Sequence, residues 1–301
     1  MNYSVFVDFC KEIGAEVKLS EPMNKHTSFK TGGNADVFVN VGSADMLSCV
    51  LETAKALSVP VLILGKGSNL LVSDRGIEGA VLCLFGMDEI LIDGEVIKAE
   101  AGVSLSALCV AAANAGLSGL EFAYGIPGTV GGALYMNAGA YGGEMVQVVT
   151  SAEYVSLQGN VGEIAVKDMN LGYRTSIFKT NGNVITSVSF ELQPASKEEI
   201  WEKMNDFMER RRSKQPLEYP SAGSTFKRPE GNFAGALIEQ NNLKGVSVGG
   251  AMVSEKHAGF VINYDNATTD DILKLIGHIK ATVHNNNGID LETEVIFVGR
   301  E

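Results

Sequence analysis

The sequence predicts an α+β protein of more than one domain, and three features carry that expectation. A strand–helix–strand unit occupies roughly residues 35–64. Hairpins follow, turning at Asp93–Gly94 and Gly159–Asn160. Past residue 195 the pattern switches to a long amphipathic helix with short strands and a second amphipathic helix behind it. At 301 residues the chain has length for one to three domains and a large buried core.

Taken in order, residues 2–18 place apolar side chains at helical spacing and read as a lead-in helix. Gly32 and Gly33 then turn the chain into a strand from about Ala35 to Val41. Ser43 is placed to cap a helix whose positions Leu47, Val50, Leu51, Ala54 and Leu57 share one face, and Pro60 ends it before the buried strand PVLILG. A right-handed crossover is expected for this unit. AVLCL near residue 82 is the next strand, EILIDGEVIKAEAG a hairpin, and Ser104 opens a helix that Gly116 stops. VQVVTSAEYVSLQGNVGEIAV alternates around a second turn, LGYRTSIFKTNG reads as a polar loop, and NVITSVSFELQP as a strand ending at Pro194.

Ser196 and Glu199 then form a capping-box pattern ahead of Ile200, Met204, Phe207 and Met208, which share one helix face. The basic end of that helix, Arg210 to Arg212 with Lys214, suits a helix C-terminus through the macrodipole, or serves as a phosphate-binding edge. A turn-rich stretch runs into another helix, and VSVGGAMVSEKHAGFVIN gives two short strands. The last helix faces Ile272, Leu275, Ile276, Ile279 and Val283 inward, and LETEVIFVG closes the chain as a strand.

Composition excludes several classes of function. With 45% hydrophobic and 20% charged residues the chain is globular, and a net charge of −12 argues against a nucleic-acid binder or a polybasic membrane-surface protein. An anionic ligand must then be held by a local cluster of basic groups. Cys10, Cys49, Cys83 and Cys109 are widely spaced within apolar runs, so they read as reduced core thiols of a cytoplasmic protein, with neither a metal site nor a disulfide frame. No leader pattern and no run of about 18 apolar residues is present, so neither export nor a membrane span is expected.

Two glycine-rich stretches stand out. Gly119–Glu144, GLEFAYGIPGTVGGALYMNAGAYGGE, carries eight glycines among aromatic and small apolar residues. Such density suits a wall of backbone N–H groups around a flat, phosphate-bearing cofactor, or a set of tight turns between short strands. GKGSNLLVSDRG, Gly65–Gly76, follows a strand but opens no helix, so it is neither a dinucleotide fingerprint nor a P-loop. It is left as an anion nest with Ser68 and Asn69 as extra donors, or as an ordinary turn.

Six ordered blocks, GKGSNLLVSDRG, EFAYGIPGTVGGALYMNAGAYG, YRTSIFK, AGSTFKRP, KHAGFVIN and LETEV, resemble the UDP-N-acetylenolpyruvoylglucosamine reductase family over about residues 27–299. The short C-terminal half is similar to its type II branch. The resemblance implies an FAD-binding domain of the p-cresol methylhydroxylase or vanillyl-alcohol oxidase type, made of two α+β subdomains, followed by a smaller α+β substrate-binding domain. The divisions are a lead-in helix and strand over 1–28, the FAD domain over 29–194 and the substrate domain over 195–301, whose last strand returns to the active site. It implies cofactor contacts at Gly65, Lys66, Gly67, Ser68, Asn69 and Leu70, and at Gly125, Ile126, Pro127, Gly128, Thr129, Gly131 and Gly132. Asn137, Ala138, Gly139 and Tyr141 are expected near the cofactor. His26, His257, His278 and His284 lie outside both loops, so the FAD is expected to be dissociable.

The implied reaction is reduction of UDP-N-acetylglucosamine enolpyruvate by NADPH through FAD, in peptidoglycan precursor synthesis. The family assigns the proton donor to Ser224 and polarisation of the carboxylate to Arg174 and Glu294. Each assignment is chemically reasonable: arginine presents a fixed cationic fork to a carboxylate, and a positioned acid accelerates proton transfer. Without the family, Ser224 after Gly223 is a turn serine and Arg174 a surface arginine. Tyr173, Lys214, Lys227, Arg228 and Asn263 are candidate diphosphate or uridine contacts. A monomer is expected. Two other readings stay open: an FAD oxidase or dehydrogenase of the same fold, and a non-catalytic nucleotide-binding protein.

Overall fold

A computed structural model describes residues 3–301, and the chain divides into two compact units. Residues 3–19, Val37–Lys66 and Gly79–Arg211 form the first. It opens with α1, Ser4–Glu12. Gly14, at φ +85°, stops that helix, and Glu16–Pro22 is an edge strand. The lead-in is thus a helix and then a strand, because a left-handed glycine ends the helical register and the alternating side chains that follow suit a sheet. The start of the expected helix, Asn2, lies outside the described residues.

The strand Asn34–Asn40 leads into α2, Ala44–Ala56, whose Ser43 hydroxyl accepts the Met46 N–H at 3.1 Å. Val61–Leu64 follows and pairs in parallel with Ile77–Cys83, Val61 opposite Ala80. The sheet order is Glu16–Pro22, Asn34–Asn40, Ile77–Cys83, Val61–Leu64, so the strand–helix–strand crossover skips one position. A five-stranded antiparallel sheet orders Val161–Ala165, Val149–Val155, Val184–Glu191, Val96–Glu100 and Ile90–Asp93, which includes both expected hairpins. Ser104 caps α3, Leu105–Ala115, and Gly116 ends it at φ +74°.

The glycine-rich stretch holds an unanticipated short helix, α4, Val130–Tyr135, and the expected polar loop holds α5, Phe178–Asn181, with Met169, Ser176 and Phe178 buried. α6 spans Lys197–Lys214. Its Ile200 and Met204 are buried in the same core as Leu105, Val130 and Phe190. The helix up to Arg211 therefore belongs with the first unit, and compactness does not follow the cut at 195. Of the four thiols, Cys10, Cys83 and Cys109 are buried, and burial pushes Cys10 up to about 11 and Cys109 up to about 12. Cys49 is exposed, which corrects its reading as a core thiol: it falls on the outer face of α2.

Ser20–Asp36, Gly67–Glu78 and Arg212–Glu301 form the second unit. Its antiparallel sheet orders Ser247–Val248, Ala251–Val253 and Val261–Asn263. Two helices, α7 (Ala234–Gln240) and α8 (Thr269–Asn287), supply much of its core, and the five expected inward positions of α8 are buried. The earlier segments join this core because Phe29 and Leu71 are buried in it and Leu70–Val72 pairs in parallel with Ile296–Val298. Arg300 grips the Asp36 carboxylate through Nη2, 2.7 Å from each oxygen. Asp74 accepts the Thr269 and Asp270 N–H groups at 2.9 and 3.0 Å, closing the start of α8 with an anion where the helix dipole favours one.

That clamp makes a stability prediction. Asp74→Ala frees two N-terminal donors of α8, and urea unfolding is expected to show a loss of about 1–2 kcal/mol.

Candidate active site

The loop after Val61–Leu64 is shaped by close approaches that only glycine permits. A Cβ on Gly67 would stand 2.1 Å from the His26 carbonyl oxygen, and Gly67 itself is at φ +63°. A Cβ on Gly65 would stand 2.6 Å from Thr129 Oγ1, so this loop and the glycine-rich stretch lie against each other. Among the described residues, the N–H groups of Gly65, Lys66, Gly67, Ser68 and Asn69 have no acceptor in the chain, and neither do those of Gly125, Gly128 and Thr129. Main-chain donors left unpaired in partly buried loops call for a ligand or water. Rows of such donors without a carboxylate among them fit the diphosphate of a dinucleotide cofactor.

Other expected cofactor residues serve the loop itself. Gly131 donates to the Ala101 carbonyl at 2.9 Å, and a Cβ on it would meet Ala101 at the same distance. The Gly132 N–H is spent on the Thr129 hydroxyl, which caps α4. Ala138 donates to Ala133, and Gly139 packs on Glu144. Asn137, buried and at φ +42°, uses its whole amide: Nδ2 donates to Glu144 and to the Gly172 carbonyl, both at 3.1 Å, and Oδ1 accepts the Val146 N–H at 3.0 Å. Its side chain is thus largely committed to the loop itself. Tyr141 stacks on Phe207 with centroids 4.7 Å apart, a contact across sequence that no local pattern announces.

Asn137 also explains how Arg174 is held. Gly172 and Thr175 exchange both main-chain hydrogen bonds at 3.2 Å, which leaves Tyr173 and Arg174 at the tip of a two-residue turn. The Asn137 bond to Gly172 and the Ser176 hydroxyl bond to the Tyr135 carbonyl, at 2.7 Å, fasten that turn to the end of α4. Arg174 sits at φ +55°, a conformation that costs a non-glycine residue roughly 1–2 kcal/mol. Lys179 holds its carbonyl at 2.8 Å, and its guanidinium lies 5.4 Å from the Tyr173 ring centroid.

In the second unit, Ser224 and Glu294 come from adjacent extended segments. The Glu294 N–H donates to the Thr225 carbonyl at 2.9 Å, and the Lys227 N–H to the Glu292 carbonyl at 2.9 Å. Thr225, wholly buried, donates its own N–H to Gly259 and accepts the Val261 N–H on Oγ1, fixing Ser224 beside it. Ser224 is exposed, follows Gly223 at φ +76°, and its hydroxyl has no hydrogen-bond partner among the described residues. Asn69 Nδ2 holds the Glu294 carbonyl at 3.0 Å, tying that segment to the 65–70 loop.

The substrate candidates divide. Lys214 is exposed at the end of α6, Lys227 is paired with Glu292, and Arg228 lies over Phe233 with 4.8 Å to the centroid. Asn263, buried, also serves the scaffold: its Nδ2 donates to the Phe29 carbonyl at 3.0 Å and its Oδ1 accepts the Ala267 N–H at 2.8 Å. Among the described residues no group of three or more His, Cys, Asp or Glu could hold a metal ion.

One carboxylate was missed by sequence reasoning. Glu121, 3% exposed, begins the glycine-rich stretch. It accepts the Ser118 hydroxyl at 2.6 Å and the Gly119 N–H at 3.0 Å, with Lys203 of α6 at 3.5 Å. Burial by itself would push its carboxyl up, but these donors and the lysine outweigh burial and hold it below the usual range.

A family model described as FAD binding domain matches residues 35–165, and one described as UDP-N-acetylenolpyruvoylglucosamine reductase, C-terminal domain, matches residues 215–298. A curated reductase of that name from Clostridium perfringens strain SM101 is 44% identical over 301 residues, 98% of this chain and 99% of the relative. One from Syntrophomonas wolfei is 46% identical over 300 residues, covering 99% and 100%. The crystal structure of UDP-N-acetylenolpyruvylglucosamine reductase from Thermus caldophilus superposes with a TM-score of 0.80 at 34% identity, covering 94% of this chain and 98% of that one.

The Glu121 cluster sets a pH-dependent prediction. A carboxyl depressed in the folded state contributes its stability above the ordinary carboxylate pKa and loses it as pH falls through the folded value. Glu121→Gln is expected to cost about 1.5–3 kcal/mol at pH 7. The gap between variant and parent, read by urea unfolding, should narrow steadily below about pH 4.5.

Proposed function

Because the chain belongs to the UDP-N-acetylenolpyruvoylglucosamine reductase family and is an FAD-dependent oxidoreductase, we propose that it uses NADPH to reduce UDP-N-acetylglucosamine enolpyruvate to UDP-N-acetylmuramate. This is a cytoplasmic step of peptidoglycan precursor synthesis. The structural observation that carries the reading is the pair of glycine loops, joined at Gly65 and Thr129, in which Gly65 to Asn69, Gly125, Gly128 and Thr129 have N–H groups with no acceptor among the described residues. Those donors fit an FAD diphosphate. When bound, FAD would supply two-electron hydride chemistry between NADPH and C3 of the enolpyruvyl ether.

The remaining work falls to this chain's side chains. A vinyl ether of pyruvate is a weak electrophile, so its carboxylate must be met by donors as negative charge spreads onto it. Arg174 supplies a permanent cation with a planar fork, and its strained, fastened turn keeps the guanidinium from wandering. Glu294, protonated or bridged by water, hydrogen-bonds the developing oxyanion. Ser224 delivers a proton to C2. Its exposed, uncommitted hydroxyl on a backbone pinned by Thr225 suits a group that must release a proton and recover one from solvent. Lys214, Lys227, Arg228 and Tyr173 remain the candidates for the substrate's diphosphate and uridine. The acidic chain acts alone as a monomer on this small-molecule substrate, with no nucleic acid or membrane involved.

The test follows flavin absorbance anaerobically in the two half-reactions. In the parent, NADPH should bleach bound flavin and the enolpyruvyl substrate should restore it. Ser224→Ala should leave bleaching by NADPH near the parent rate and slow the restoration roughly 10²- to 10⁴-fold. Restoration at the parent rate removes Ser224 as the acid, and flavin that NADPH does not bleach removes the reductase reading.

A further inference from the structure

Arg211 stands apart from the cations around it on α6. Arg210 pairs with Asp206 at 2.8 Å and Lys203 with Glu121 at 3.5 Å. Arg211 makes no ion pair and no hydrogen bond among the described residues, although it is partly buried and desolvation pushes its guanidinium pKa down. A desolvated, uncompensated cation is costly, and the cost is recovered only if an anion arrives.

Its position is built, and from two sides. A Cβ on Gly125 would stand 2.9 Å from Arg211 Cδ and 3.8 Å from Nε. Gly125 has no left-handed φ, so its backbone does not require glycine; what the missing Cβ gives there is room for the arginine stem packed on it. One turn earlier on α6, Phe207 lies flat on Tyr141 with an interplanar angle of 7°, which fixes the helix face that carries Arg211. The arginine is therefore seated on the glycine-rich stretch at the residue that begins its run of acceptorless N–H donors, in a chain whose net charge is −12.

We propose that Arg211 is a cofactor-binding residue, the positive charge that the polypeptide holds ready for an anionic oxygen of FAD, either on its diphosphate or on the electron-rich N1–C2=O edge of the flavin. The inference rests on the FAD reading above. It assigns to a single residue the compensation that the acidic chain otherwise lacks at this loop.

The full chain, stripped of flavin, is titrated with FAD and with riboflavin, which has no diphosphate, in the parent, Arg211→Lys and Arg211→Gln. Flavin fluorescence reads affinity, and thermal unfolding of the flavin-free chains reads stability. Arg211→Gln should weaken FAD binding roughly 10- to 100-fold, with Arg211→Lys between it and the parent. The flavin-free midpoint should hold or rise, because an unpaired buried charge has been removed. A loss confined to FAD assigns the diphosphate, and an equal loss for riboflavin assigns the ring edge. FAD affinity within twofold of the parent in Arg211→Gln overturns the proposal. So does a fall in the flavin-free midpoint large enough to account for weakened binding, which is the mark of a packing role. A parent that takes up no FAD overturns the FAD reading, and this inference with it.

Discussion

The approach of glycine backbone to a neighbour where a Cβ would collide is the constraint on which this structure depends. Gly65 against Thr129, Gly67 against His26 and Gly131 against Ala101 are each closer than any other residue allows. The first of these brings two loops together, and among the described residues the N–H groups of Gly65 to Asn69 and of Gly125, Gly128 and Thr129 have no acceptor. These residues forgo hydrogen bonds that a strand or helix would have made, and their free donors suit a diphosphate of the kind proposed above.

Around the loops, polar residues act as fasteners. Asn137 spends a full amide on three partners, and one of them, the Gly172 carbonyl, belongs to the turn that presents Arg174. The order of a cofactor loop and the orientation of a candidate catalytic cation are therefore coupled through one buried side chain. Glu121 does the same for α6, holding Lys203 on one side and the Ser118–Gly119 turn on the other. Thr225 fixes Ser224 through its main chain and its hydroxyl together. In each case the fastener is more buried than the group it presents, as preorganisation requires.

The chain threads its two units in alternation. Segments 20–36 and 67–78 leave the N-terminal half to join the core that holds α7 and α8, while most of α6 stays with the earlier unit. Long-range bonds such as Asp74 to the start of α8 and Arg300 to Asp36 therefore carry closure that local sequence cannot supply. A boundary drawn at a change of pattern marks where secondary structure changes, and packing decides where a compact body ends.

Read by itself, the sequence determined most helices and strands. Ser43, Ser104 and Gly116 are caps whose chemistry is local, and Leu47, Val50 and Ile272 repeat at the period of a helix face, so neither depends on distant partners. It also marked both glycine loops and the segments that carry Ser224, Arg174 and Glu294. Tertiary structure decided the rest: that Glu16–Pro22 is an edge strand, that Asn137 and Asn263 are spent on the scaffold, and that Arg211 and Phe207 turn from a basic helix end toward Gly125 and Tyr141. Caps and periodicity act within a few residues. The commitment of a polar side chain depends on which main-chain group a distant segment brings within 3 Å, and only the packed fold brings those groups together.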